Sequence, residues 1–273
     1  MKACRWLLLT SVIAALVLHG TVPSCRAEDE MQDLAEKTQN PVSNLISLPF
    51  QNNTNFKLGP NDRTQNVLNI QPVIPVHLEA IGLPEWNLIN RTIMPLVYQP
   101  TGERGGDLGL GDINHSMFLS PANPGRLIWG VGPIVSLPTS VNDRVGPSKL
   151  SFGPTAVGLL MPGDWVLGVL VNNLWSVAGD SDTPNVNAFL LQYFINYNLP
   201  NGWYVTSSPI VTANWKADSG DTWTVPIGGG FGKIVRLGQQ PLNAQIQGFW
   251  NAETPNGAAD TTLRIQLAFL FPK

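Results

Sequence analysis

The sequence is poor in charge. Asp, Glu, Lys and Arg make up 13% of its 273 residues, about half the quarter usual for a soluble domain. Its two cysteines, Cys4 and Cys25, both fall in the first 27 residues. No thiol remains beyond them, which excludes a disulfide scaffold, a thiol nucleophile and a thiolate metal site. After the first 27 residues no apolar run reaches 18 residues, so no later segment reads as a membrane-spanning helix. The weakly acidic balance argues against nucleic acid as a partner. Past the leader only His77 and His115 remain of the histidines, and neither has a second ligand at metal spacing. Residue patterns therefore call for no metal and no cofactor.

What is present begins with a leader. Lys2 and Arg5 precede a 13-residue, largely apolar run from Trp6 to Leu18, and Cys25 and Ala27 are small residues at the two cleavage-site positions. Charge, length and cut site predict a secretory signal peptide over 1–27. A lipoprotein cut before Cys25 is the alternative, and Pro23 speaks against it. Removing 1–27 takes away Lys2, Arg5 and Arg26 and no acid, so the formal net charge of -3 becomes three units more negative, -6.

One helix signal follows. EDEMQDLAEKT has acids in its first turn, apolar Met31, Leu34 and Ala35, and Lys37 near its end, and Pro41 stops it. This places a short helix in an N-terminal segment over 28–44, before the first strand. It docks as a partial plug or hangs as a loose periplasmic tail.

From 45 to 273 the chain reads as recurrent β segments. Twelve are predicted, roughly 45–55, 65–75, 86–97, 109–119, 127–137, 149–160, 165–175, 186–198, 203–214, 222–234, 242–251 and 261–271. Most alternate with period two. In the last, Leu263, Ile265, Leu267, Phe269 and Phe271 oppose Thr262, Arg264, Gln266 and Ala268, and only Leu270 breaks the pattern. Such a strand fits the core of a secreted sandwich or the wall of a transmembrane barrel. Three further features favour the barrel. The polar faces carry amides, hydroxyls and glycines rather than Lys and Glu. Segments of this length suit a tilted strand crossing a bilayer. Connections alternate between tight ones such as MPGD and LPNG and longer ones such as LPTSVNDRVGPS and SVAGDSDTPN, with VHLEAIGLPE as the exception. The fold predicted is all-β, an antiparallel up-and-down transmembrane β-barrel of about twelve strands with a short N-terminal periplasmic helix.

Tryptophans cluster near the predicted strand ends. Trp86, Trp129, Trp165, Trp175, Trp203, Trp215, Trp223 and Trp250 are expected to form two aromatic girdles at the membrane interfaces. Prolines resist the pattern. Pro49, Pro72, Pro95, Pro133, Pro154, Pro209 and Pro226 lie in or near predicted strands, where each forfeits a ladder hydrogen bond.

The phrases QNPVSNLISLPFQNN, LNIQPVIPV, WNLINRTIMPLVYQP, GLGDINHSMFLSP and SFGPTAVGLL, in that order, resemble the bacterial outer-membrane family of "meta-pathway of phenol degradation" proteins. Members of that family are transporter-like and are often mislabelled bacterial neuromedin U. The resemblance runs from about Gln39 to Lys273. It implies an outer-membrane barrel and a Gram-negative-type envelope, and little about substrate, since the family's role in importing aromatic compounds is inferred from gene context. It brings no catalytic residues and no cofactor.

Few residues invite chemistry. His115 and Ser116 suggest a hydrolase pair of the kind one outer-membrane phospholipase barrel uses, but neighbours on a strand point to opposite faces. GGDLGLGDIN lacks the helix and the Lys-Ser/Thr of a phosphate cradle. Asp107 and Asp112 without a ligand series make a weak calcium site. The chain is thus read as no enzyme. The expected lumen lining is Arg91, Arg264, Asn69, Gln71, Asn114, Gln192, Gln245, Gln247 and Gln266, with Asp112 as counter-charge. Alternation places Arg264 inside. Arg91 belongs there too, because a lipid-facing Arg at mid-depth costs about 2–4 kcal/mol. The two arginines either tie the lumen into a plug network or select solutes. The expected function is an outer-membrane channel or transporter for small, hydrophobic or aromatic molecules. A closed structural or adhesive barrel acting through its outer loops is the alternative. Expected partners are outer-membrane lipid, the barrel-assembly machinery and a small-molecule solute.

The leader makes a direct prediction. N-terminal sequencing of the mature protein should begin at Glu28. A lipid-modified N-terminus at Cys25 would instead establish the lipoprotein reading.

Overall fold

A computed structural model describes residues 25–272. Nearly all of the leader lies outside the described residues. A helix, α1 (Cys25–Gln39), precedes fifteen strands: β1 (Ile46–Leu58), β2 (Arg63–Ile70), β3 (Val73–His77), β4 (Trp86–Pro100), β5 (Gly106–Leu110), β6 (Ile113–Pro121), β7 (Leu127–Leu137), β8 (Leu150–Leu160), β9 (Trp165–Ala178), β10 (Asn187–Asn198), β11 (Trp203–Ser207), β12 (Ile210–Asn214), β13 (Trp223–Leu237), β14 (Gln240–Glu253) and β15 (Thr261–Phe271).

Every paired neighbour is antiparallel, and the sheet closes where β15 pairs β1, from Ile46↔Phe271 to Phe56↔Thr261. The fifteen strands make twelve staves. β2 and β3 run in line between β1 and β4, β5 and β6 both pair β4, and β11 and β12 share β10 and β13. The twelve predicted segments correspond to these twelve staves in order. The start of β1 and the end of β15 lie at one mouth, here called the N-terminal mouth. Connections there are short, such as 161–164, 199–202 and 238–239. At the opposite, loop mouth they reach twelve residues, 138–149. The exception foreseen at the N-terminal mouth, 78–85, is taken up by a 3-10 turn over Leu78–Ile81.

Three staves are interrupted, at Gln71–Pro72, Gly111–Asp112 and Ser208–Pro209. This accounts for several of the prolines. Pro72 and Pro209 sit in the gaps, where the missing N–H interrupts the ladder without shifting its register: Ile70↔Met94 continues as Val73↔Arg91, and Gln192↔Ile210 as Ile195↔Ser207. Pro226 follows a bulge, and Pro133 faces Pro154 across β7 and β8, so those two missing donors fall at one level of the wall. The Gly111–Asp112 gap inserts one extra residue, since Gly109 opposes Val97 while Asn114 opposes Ile93.

Alternation sorts the faces. Outward positions carry a broad apolar band that includes Phe152, Val169, Phe231, Ile265 and Leu267, all exposed. Polar side chains do occur outside, but they satisfy one another. Asn52 and Asn66 exchange amide bonds of 2.8 and 3.0 Å, with Thr54 joined to both. Thr92 Oγ1 and His115 Nδ1 lie 3.0 Å apart. Internal pairing of this kind lowers the cost of polar groups in hydrocarbon.

The inner face is less uniformly polar than the sequence suggests. Ile89, Phe118, Val157, Leu159, Val166, Leu170 and Phe194, from β4, β6, β8, β9 and β10, form an apolar patch inside the barrel, and Val42 packs on it. β9 is therefore apolar on both faces over part of its length. Period-two contrast vanishes there, because the inner face seats the N-terminal segment rather than water. Glycine makes room for rings on this face. A Cβ on Gly232 would collide with the ring of Tyr204, and one on Gly168 with that of Phe194.

Two results should follow from closure. Unboiled protein in detergent should migrate differently from boiled protein on a denaturing gel. Gly232→Val should lower stability by about 1–3 kcal/mol through overpacking, read as a shifted midpoint of urea unfolding in vesicles. An unchanged midpoint would show that Tyr204 can move aside freely.

Candidate functional site: the lumen

The N-terminal mouth is occupied. Met31, Leu34 and Ala35 of α1, with Leu45, pack on Ile234 of β13 and on Ala268 and Leu270 of β15. Leu270, the one break in the alternation of the last strand, is thus the inward residue on which the helix sits, fully buried. Burying a Leu contributes about 1.5–3 kcal/mol, so α1 is docked rather than loose. Polar contacts to the rim add to this. Glu30 pairs with Arg236 at 2.5 Å, and Gln32 Nε2 donates to Asp164 Oδ1 at 3.4 Å. Gln39 Nε2 donates to Asn198 Oδ1 at 2.8 Å, but Gln39 Oε1 and Asn198 Nδ2 are buried without partners. An incompletely satisfied amide couple opposes docking.

Two cavities occupy the barrel axis. One, of about 160 Å³, lies between the segment after α1 and the two arginines, Arg91 and Arg264. The other, of about 440 Å³, opens toward the loop mouth. Gln51 and Arg264 line both, so the lumen is pinched at that level.

The pinch is built at the stave interruptions. Arg91 Nη2 donates to Gln71 Oε1 at 2.8 Å, beside the first gap. Ser208 stands at the third, where its backbone groups are free of the ladder. Ser208 N–H donates to Gln247 Oε1 at 3.0 Å, and its carbonyl accepts from Arg264 Nη1 at 2.9 Å and Gln192 Nε2 at 3.4 Å. Gln247 Nε2 also donates to Ser208 Oγ at 2.8 Å. Arg264 Nε donates to Asn53 Oδ1 at 2.9 Å, and its guanidinium lies 4.8 Å from the centre of the Phe249 ring.

The sequence-predicted lining is therefore brought together in large part. Gln71, Arg91, Gln192, Gln245, Gln247, Arg264 and Gln266 surround the first cavity, and Asn69 lies on the second. Asn114 sits elsewhere on the wall, its amide donating to the Asp112 carbonyl at 3.3 Å. Asp112 as counter-charge is corrected. Its carboxylate accepts backbone N–H groups of Thr139, Ser140 and Ser148 at 2.9–3.1 Å and faces neither arginine. It pins the connection 138–149, whose Val141 and Val145 close over inward-facing Gly109. Arg144 of the same connection pairs with Asp107 at 2.8 Å. The loop mouth is thereby narrowed from within. Sequence reasoning missed this loop because a carboxylate that caps backbone donors leaves no pattern of its own. His115 faces out to Thr92 while Ser116 is buried, so the two do not form a base and nucleophile.

The eight tryptophans divide evenly. Trp86, Trp129, Trp165 and Trp203 lie near strand starts at the N-terminal mouth, and Trp175, Trp215, Trp223 and Trp250 lie near the loop mouth. Several meet neighbours edge to face, as Trp86 does Trp129 at 5.9 Å and Trp215 does Trp223 at 5.3 Å.

No protein-family model matches the chain, and no curated protein does. Solved structures do. The COG4313 outer membrane channel from Pseudomonas putida F1 aligns with a TM-score of 0.64 at 15% identity, over 83% of this chain and 94% of that one. The NanC porin aligns with a TM-score of 0.53 at 7% identity, over 84% of this chain and all of that one. At these identities the likeness is one of fold, a closed barrel of the outer-membrane type.

Glu36 on α1 offers a test of docking. Burial raises its carboxyl above the ordinary glutamate range, Asp33 and Asp164 add to the rise, and a bond from Gln32 opposes it. Such an acid stabilises the docked state when protonated. That contribution is complete below the ordinary glutamate value and is lost as pH rises through the docked value. Protease cleavage within 28–40 should therefore speed up from acidic to neutral pH relative to Glu36→Gln. A constant ratio of the two rates would remove Glu36 from the docking balance.

Proposed function

We propose that the chain is an outer-membrane channel for small molecules, with α1 as a removable plug at its periplasmic mouth. The observation that supports this reading best is the pair of cavities within one closed wall, meeting at Arg264. On this reading the leader sends the chain through the inner membrane, and the assembly machinery inserts it through its C-terminal strand. The two sets of tryptophans then serve as girdles at the lipid interfaces. The apolar patch inside, with Phe118 and Phe194, suits solutes with a hydrophobic or aromatic body. That accords with the resemblance to the phenol meta-pathway family.

A closed structural barrel acting through its outer loops is the second reading. It draws on the occupied state of both mouths, one by α1 and one by 138–149.

Planar-bilayer recording separates them. Wild type should show small, flickering conductance, deletion of 28–40 should raise it several-fold, and Arg264→Ala should raise it further while assembly is preserved. If none of the three passes ions or small solutes, the structural barrel takes the place of the channel.

A further inference from the structure

Arg91 and Arg264 both line the inner cavity, and among the described residues neither forms an ion pair. The four ion pairs among the described residues are Lys37–Asp33, Lys57–Asp260, Arg144–Asp107 and Arg236–Glu30. All lie on α1 or near the mouths. Asp112, the acid that sequence places nearest, is fully engaged by backbone donors of the 138–149 connection. Arg91 and Arg264 share one cavity of about 160 Å³, and Arg264 is only 6% exposed. Two like charges enclosed by a low-dielectric wall are costly unless an anion shares the space.

Their protein partners are neutral acceptors and satisfy only part of the two guanidinium forks. Arg91 has one bond, to Gln71, and Arg264 has two, to Asn53 and the Ser208 carbonyl. A guanidinium carries five N–H donors, so donors remain on both sides of the same cavity. Gln245 and Gln266 line that cavity too, and their amides can add further donors. Phe194 and Val73 line the same cavity, Val73 as the cross-strand partner of Arg91. The space thus offers donors for an anion and apolar surface beside them.

We infer that the 160 Å³ cavity is a binding site for a small monocarboxylate with an apolar body, its carboxylate held between Arg91 and Arg264. The inference rests on the channel reading for its role in transport, but binding itself can be measured without transport. A bidentate guanidinium–carboxylate contact supplies the selectivity, because a neutral isostere leaves the charge unpaired.

The test uses the mature protein in detergent, titrated calorimetrically with benzoate, benzamide and benzylammonium. Benzoate should bind at least about tenfold more tightly than benzamide, as expected for charge-assisted bonds, and benzylammonium should not bind. Arg91→Gln and Arg264→Gln should each weaken benzoate by about tenfold and leave benzamide unchanged, while Arg264→Lys should retain part of the preference. Gel mobility of unboiled protein confirms that each variant is folded. Equal affinities for benzoate and benzamide, or equal losses for both in the arginine variants, would overturn the site. Bilayer recording is kept separate. Benzoate binding without any current would leave the site standing and remove the channel, whereas current without benzoate preference would do the reverse.

Discussion

Everything in this molecule depends on the ladder between β15 and β1. Its eleven pairs, Ile46↔Phe271 through Phe56↔Thr261, remove the last free edge of the sheet. A closed antiparallel wall satisfies its own backbone, apart from the few donors that proline lacks. The outer surface is then free to be apolar, as the exposed Phe152, Phe231 and Ile265 are. The low charge content of the sequence is the compositional trace of the same constraint, since neither the apolar outer band nor the buried inward positions tolerate many ions.

Closure also creates the interior, and the interruptions of the wall decide what is in it. Where Pro72 and Pro209 break the ladder, neighbouring polar groups turn toward the lumen. Gln71 and Ser208 there receive Arg91 and Arg264. The second gap, at Gly111–Asp112, anchors an in-folded loop instead. The prolines and bulges that disturb the strand pattern are therefore the places where the barrel acquires its pinch and its in-folded loop.

The docking of α1 follows from local exceptions of another kind. Leu270 and Ala268 leave a small apolar surface facing inward, and α1 covers it with Leu34 and Ala35. Val42 does the same on the larger patch built from β8, β9 and their neighbours. Hydrophobic burial holds the segment, while the half-satisfied Gln39–Asn198 couple and the raised Glu36 carboxyl oppose it.

Much of this was legible in the sequence, because a strand's two faces are written at alternate positions. The twelve staves, the outward side of β15, the inward Arg264 and the short-against-long asymmetry of connections are all local patterns of this kind. Leu270 appeared only as a fault in alternation, and the inner patch of β9 did not appear, because a strand apolar on both faces carries no period-two contrast. The role of Asp112 was misread, since a carboxylate bonded to backbone N–H groups far along the chain looks like any free charge. Pattern along one strand determined which way each side chain faces. Only the closed structure decided which side chains meet across the lumen, because pairing over a barrel's width depends on register among all twelve staves and on where the ladder breaks.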